Sequence, residues 1–124
     1  MANLAIIGIS DWHTMQERML DLARRMDAGE ALPQGDYHLG FPDAAHLLAE
    51  LPPRRLDTLR AIKLLGPVSV YAVAKHLARN YSNVHADVQK LLEHGLVEKA
   101  DDGRIYMPWD DVVVRVNASL LKAA

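Results

Sequence analysis

Half of the 124 residues are hydrophobic and 24% are charged, a balance that fits one compact core and excludes a disordered chain. No cysteine is present, which excludes disulfides, thiolate metal sites and thiol nucleophiles. A formal net charge of -2 excludes a general polyanion binder, so the placement of the charges says more than their sum.

The opening MANLAIIGISDWH has no basic leader and is far shorter than the roughly 20 residues of a membrane span, so a cytoplasmic protein without a membrane partner is expected. Within it, Asn3 to Ile9 is short, apolar and β-branched, the composition of a buried strand. From Asp11, residues Met15, Met19, Leu22, Ala23 and Met26 recur at helical spacing, which predicts a long amphipathic helix ending near Gly29. Its methionines read as core or as a dimer seam, since methionine is a flexible packing residue. Pro33, Gln34, Gly35 and Asp36 make a turn. Tyr37, Leu39 and Phe41 then alternate with His38 and Gly40 as a half-buried strand, a candidate partner of the first.

Pro42 and Asp43 precede a short helix, AAHLLAEL, and Pro52 and Pro53 punctuate the chain. The expected division is a strand-helix-strand-helix extension over 1–50, serving dimerisation, and a second segment over 51–124. There Leu56, Leu59, Ile62 and Leu65 form the buried stripe of a helix closed by Gly66 and Pro67, with Arg54, Arg55, Asp57, Arg60 and Lys63 on other faces.

Ser69 to Lys99 outlines a helix-turn-helix entering a wing. Val70, Val73, Ala74 and Leu77 share one face of a helix capped by Ser69. Val84, Val88, Leu91 and Leu92 repeat the spacing in a second helix, with Ser82 the candidate cap and Gly95 the left-handed terminator. Asp101, Asp102 and Gly103 lie between LVEKA and RIYMP, and the Asp-Gly pair predicts a hairpin, the wing. Asp110 to Asn117 alternates as a last strand, which either extends the wing sheet or pairs with the N-terminal strand. The charges support this reading: between Pro52 and Met107 nine Lys and Arg face six acids, whereas the remainder holds five against ten.

In helix-turn-helix docking the start of the second helix reaches base edges while the turn and flanks hold phosphates. The outer face of that helix carries Asn83, His85, Ala86, Gln89 and Lys90. Asn83 and His85 are therefore expected to contact bases, Arg79, Tyr81 and Ser82 the backbone at the helix start, and Lys90 a phosphate. Structural roles compete: Asn80 and Ser82 as caps, Tyr81 in the core, Asp87 paired with Arg79. Lys99 and Arg104 flank the wing tip within reach of a minor groove or phosphate, with a solvated turn as the alternative. The six histidines lack metal-ligand spacing, and no Gly-rich phosphate loop or Ser-His-acid arrangement stands out. No cofactor and no enzymatic activity are expected.

From Phe41 onward, PPRRLDTLRAI, the block GPVSVYAVAKHLARNYSNVHADVQKLLEHGLVEK and the ending D-G-R-I-Y-M-P-W-D resemble a MarR-like winged-helix family of small predicted prokaryotic transcriptional regulators. The narrowest part of the resemblance is Leu77 to Val88, an Arg-x-Tyr turn leading into Asn-Val-His-x-Asp-Val. The resemblance implies binding of double-stranded DNA, as a homodimer, and in some members an antitoxin role beside a small toxin. The expected protein is thus α+β, a winged helix-turn-helix with an N-terminal strand-helix-strand extension, acting as a dimeric repressor. The rival expectation is a protein-interaction winged helix that neutralises a toxin partner.

Overall fold

The computed structural model describes residues 3–10, 12–30 and 36–116. The turn expected at Pro33 to Gly35, the helix start at Asp11 and the strand end at Asn117 lie outside the described residues. Among the described residues, five helices and two small sheets make an α+β chain that divides into two compact units, residues 1–48 with 111–124 and residues 49–110.

The first unit contains β1 (Leu4–Ile9), α1 (Trp12–Asp27), β2 (Tyr37–Phe41) and most of α2 (Ala44–Glu50). Because a helix separates β1 from β2, the two strands run parallel, with Ala5 opposite Tyr37 and Ile9 opposite Phe41. The third strand, β5 (Asp111–Arg115), lies on the other edge of β1, also parallel, with Leu4 opposite Asp111 and Gly8 opposite Arg115. The sheet order is β2-β1-β5. The last strand therefore belongs with the N-terminal unit, and the division expected at residue 51 is corrected in this respect. Its continuous valines resemble the apolar run of β1, though at this edge Val112 and Val113 are half-buried and Val114 is exposed. Gly8 also permits the close pairing, since a Cβ there would sit 2.8 Å from the Arg115 carbonyl oxygen. Asp43 caps α2 through its Oδ1, which accepts from the His46 amide at 2.7 Å.

Helix α1 does not bury the stripe expected of it. Met15, Met19 and Met26 are 45%, 69% and 61% exposed, and Leu22 alone of the stripe is half-buried. The stripe is not core of this chain.

The second unit contains α3 (Pro53–Leu65), α4 (Val70–Leu77), α5 (Tyr81–Glu93) and the hairpin of β3 (Glu98–Lys99) with β4 (Ile105–Tyr106). Pro53 starts α3, where a missing amide proton costs nothing. Ser69 caps α4 as expected, accepting from the Ala72 amide at 3.1 Å. Ile62, Val73, Val84, Val88, Leu91, Leu96 and Ile105 are fully buried and form the core. Each such side chain contributes about 1.5–3 kcal/mol by its removal from water. The buried stripe of α3 is turned relative to the expected one. Arg55, Thr58, Leu59, Ala61 and Ile62 are buried, Leu56 is half-buried and Leu65 is exposed, because Arg55 and Thr58 reach a carboxylate on α5.

The hairpin pairs Glu98 with Tyr106 and Lys99 with Ile105. Val68 bridges the other side of Ile105 through two amide-carbonyl bonds of 3.0 and 2.8 Å. Ile105 thus has a neighbour on both sides, which leaves no edge there for β5 to extend. Trp109 fixes the segment beyond the hairpin: its Nε1 donates to the Gly95 carbonyl at 3.1 Å, and its own carbonyl accepts from Lys63 Nζ at 2.8 Å.

Candidate nucleic-acid interface

The turn between α4 and α5 is held at both ends. Ala78 adopts the left-handed conformation, φ 53°. Its amide donates to Lys75 and that of Arg79 to Ala74, the pair of bonds that closes a Schellman terminus. Asn80 then caps α5, its Oδ1 accepting from the amides of Ser82 at 2.8 Å and Asn83 at 3.4 Å. The expected cap, Ser82, is inside the helix, which starts two residues earlier than a cap at Ser82 implies. At its far end α5 closes on Gly95, φ 75°, with the Leu96 amide donating to Leu91 and that of Gly95 to Leu92. Here too the bonds form a Schellman terminus.

Val84, Asp87, Val88 and Leu91 face inward, so the exposed surface of α5 follows from about 100° of rotation per residue. Ser82, Ala86 and Gln89 run along its centre and are exposed. Tyr81 and His85 lie along one flank, their rings 5.8 Å apart. Asn83 and Lys90 lie along the other. The two expected base contacts, Asn83 and His85, therefore stand on opposite shoulders of the same exposed face. Tyr81 is half-exposed and does not enter the core.

Beside this face lies a cluster centred on Asp87, which is 1% exposed. Its Oδ1 accepts from Arg55 Nε at 3.1 Å, and its Oδ2 accepts from Thr58 Oγ1 at 3.3 Å and pairs with Arg79 Nη2 at 2.9 Å. Arg54 Nε lies 3.9 Å away. Arg79 Nη1 donates further to Thr58 Oγ1 at 2.9 Å and to the Arg54 carbonyl at 3.3 Å, while Arg55 Nη1 donates to the Glu50 carbonyl. Three guanidinium groups thus share one carboxylate, leaving the cluster cationic. Arg54, Arg79 and Asn83 line an open cavity of about 310 Å³ next to the start of α5. Arg79 is part of the internal framework and of the cavity wall at once.

The remaining expected contacts are engaged or stand apart. Lys90 pairs with Glu93 at 3.4 Å and with Glu50 at 3.9 Å, and Glu50 also meets His94 Nε2 at 3.3 Å. Lys90 lies nine residues, about 13 Å of helix rise, beyond Tyr81. Arg104 Nε is held by Asp102 Oδ2 at 2.7 Å, and its amide donates to Asp102 Oδ1 at 3.0 Å. These two hydrogen bonds, the backbone one first, hold the Asp102 carboxyl below its ordinary range. A phosphate contact by Arg104 would exchange one oxyanion for another on an exposed pair that contributes little to stability. Lys99 is exposed on β3. Tyr106 donates to Glu98 Oε2 at 2.8 Å, and that acceptor raises the phenol above its ordinary value.

The structure thus brings Arg79, Tyr81, Ser82, Asn83 and His85 together at the start of α5. Lys90 stands further along the helix, and Lys99 and Arg104 belong to the hairpin. Two residues outside the expected contact set join this surface: Arg54 walls the cavity and Gln89 lies at the centre of the exposed face. The helical period was signal enough to find Gln89; nothing local to Arg54 points at Asp87, thirty-three positions away. Among the described residues no group of His, Asp and Glu converges as metal ligands, and no helix is long and apolar enough to cross a membrane.

No curated protein and no solved structure matches the chain. The family model HVO_A0114 matches residues 50–114, nearly the span of the second unit with the first residues of β5 added. On that match over more than half of its length, the chain belongs to the HVO_A0114 family.

Proposed function

We propose that residues 49–110 are a winged helix-turn-helix and that the protein is a sequence-selective, DNA-binding transcriptional regulator of the cytoplasm. The observation that carries this reading is the exposed polar face of α5, capped at Asn80 and flanked by the cationic cavity of Arg54 and Arg79. The order α3, α4, α5 and hairpin, with Val68 bridging Ile105, supports it, as does the resemblance of Leu77 to Val88 to MarR-like regulators. In this reading α5 enters a major groove. Asn83 suits the paired donor and acceptor of adenine, Gln89 and His85 offer further hydrogen-bonding groups, and Arg79 and Arg54 meet phosphates beside the groove. Asp87 fixes the Arg79 guanidinium in one orientation, so little side-chain freedom is lost on contact. Occupation of a promoter by a dimer gives repression.

Asparagine and histidine at 83 and 85 are exposed and outside the core, which makes them clean to test. Alanine at both removes discrimination between cognate and scrambled duplexes while the melting temperature stays within about 2 °C, since exposed substitutions cost little. Retained discrimination in the double variant contradicts the assignment.

The exposed methionines of α1 favour a protein partner as well. A second copy of the chain is the partner in the leading reading, and a small toxin is the partner in the rival one. Light scattering of the purified protein separates these: a dimer supports the first, and a monomer that forms a stable complex with a co-purifying small protein supports the second.

A further inference from the structure

The three parallel strands of the first unit line a cavity of about 230 Å³. Its walls carry Arg18 from α1, Arg115 from β5, His38 from β2 and Ser10 from the end of β1. No described carboxylate lines it, and no described carboxylate pairs with Arg18 or Arg115. Gly8 lines it, and Gly40 leaves the room that the Ser10 side chain occupies. Gly8 and Gly40 are opposite one another in the β1–β2 register, so both open the same face of the sheet. A Cβ on Gly40 would collide with Ser10 Oγ, and one on Gly8 would press on the Arg115 carbonyl. The lining runs from Ile6 to Ser10 along β1 and its end, and takes His38 and Leu39 from β2, Arg115 from the end of β5 and Arg18 from the second turn of α1.

We propose that this cavity is a binding site for a small molecule bearing an oxyanion, a phosphate or carboxylate group. Arg18 and Arg115 supply charge-assisted hydrogen bonds from two sides, and His38 and the Ser10 hydroxyl supply further polar contacts. Among the described residues neither guanidinium is held by a carboxylate, whereas Arg104 is held by Asp102. The site stands independently of the DNA-binding reading.

The test is a titration of the full-length, ¹⁵N-labelled protein with inorganic phosphate, at an ionic strength held constant with chloride, followed by amide and arginine Nε resonances. A parallel titration with acetate distinguishes the two anion chemistries. Saturable shifts confined to Gly8, Ile9, Ser10, Leu39, Gly40 and the two arginine side chains are expected, and the anion that saturates at lower concentration names the group. Arg18→Gln and Arg115→Gln are each expected to weaken binding about tenfold, the scale of one charge-assisted bond. Arg60→Gln, on α3, leaves it unchanged. Shifts that fail to saturate with either anion overturn the proposal, as does equal binding by both glutamine variants and the wild type. Should a variant disturb resonances away from the cavity, the wild-type titration decides alone.

Discussion

Replacement of Asp87 by asparagine tests whether the second unit depends on its cationic cluster. The carboxylate is 1% exposed and serves Arg55, Thr58 and Arg79. Asparagine keeps the shape but offers one acceptor oxygen in place of two, and it turns an NH₂ toward a guanidinium. Arg55, itself 8% exposed, is then left buried without a counter-charge. Removing one partner of a buried ion pair costs about 3–5 kcal/mol. At roughly 4 °C per kcal/mol for a chain of this size, Tm falls by at least ~12 °C. Urea unfolding followed by circular dichroism gives the free energy directly. Asp57→Asn is the control, because its pair with Arg60 is exposed and is expected to contribute less than about 1 kcal/mol. A cost below ~1 kcal/mol for Asp87→Asn would refute the view that the cluster holds α3 and the turn against α5.

Three further outcomes follow from the turn and the hairpin. Ala78→Gly is expected to stabilise by about 0.5–1 kcal/mol, since relief of the left-handed conformation exceeds the entropy glycine adds to the unfolded chain; an unchanged or lower denaturation midpoint contradicts it. Asn80→Ala costs about 1 kcal/mol through the lost cap whereas Ser82→Ala is nearly neutral, and the reverse ranking in the same denaturation assay would restore Ser82 as the cap. By NMR titration Tyr106 loses its proton above the ordinary 10.0, and Glu98→Gln lowers that value by removing the neighbouring negative charge. Because the folded pKa is raised, the stabilisation from this hydrogen bond is present below pH 10 and lost as pH rises through the folded value.

Local chemistry made most of the elements legible. Ser69, Gly95 and the Asp102-Gly103 turn each act within a few residues, and each stands where the sequence reading put it. The long-range pairings were not legible in the same way. The pairing of Asp87 with Arg79, eight positions away, was among the readings the sequence offered, but only the folded chain brings Arg55 and Thr58 to it from 32 and 29 positions away. The same blindness misplaced one side of the buried stripe of α3, which keeps Leu59 and Ile62 but buries the paired Arg55 and Thr58 more deeply than Leu56 or Leu65. The alternation of β5 fitted either sheet, and its pairing with β1 depends on contacts with a strand more than a hundred residues earlier. For the candidate interface, the helical period located the exposed face of α5 but not the ion pairs that engage Lys90 and Arg104.

Sequence-selective recognition of DNA through α5 is put to the test by selection from a randomised duplex library. Fluorescence anisotropy on the enriched and a scrambled duplex, across a salt series, then follows. An enriched motif bound at least about 10³-fold more tightly than the scrambled duplex near physiological salt is the predicted result, with the preference lost in the Asn83, His85 double alanine variant. No enriched motif, with equal and weak binding of both duplexes, would contradict it.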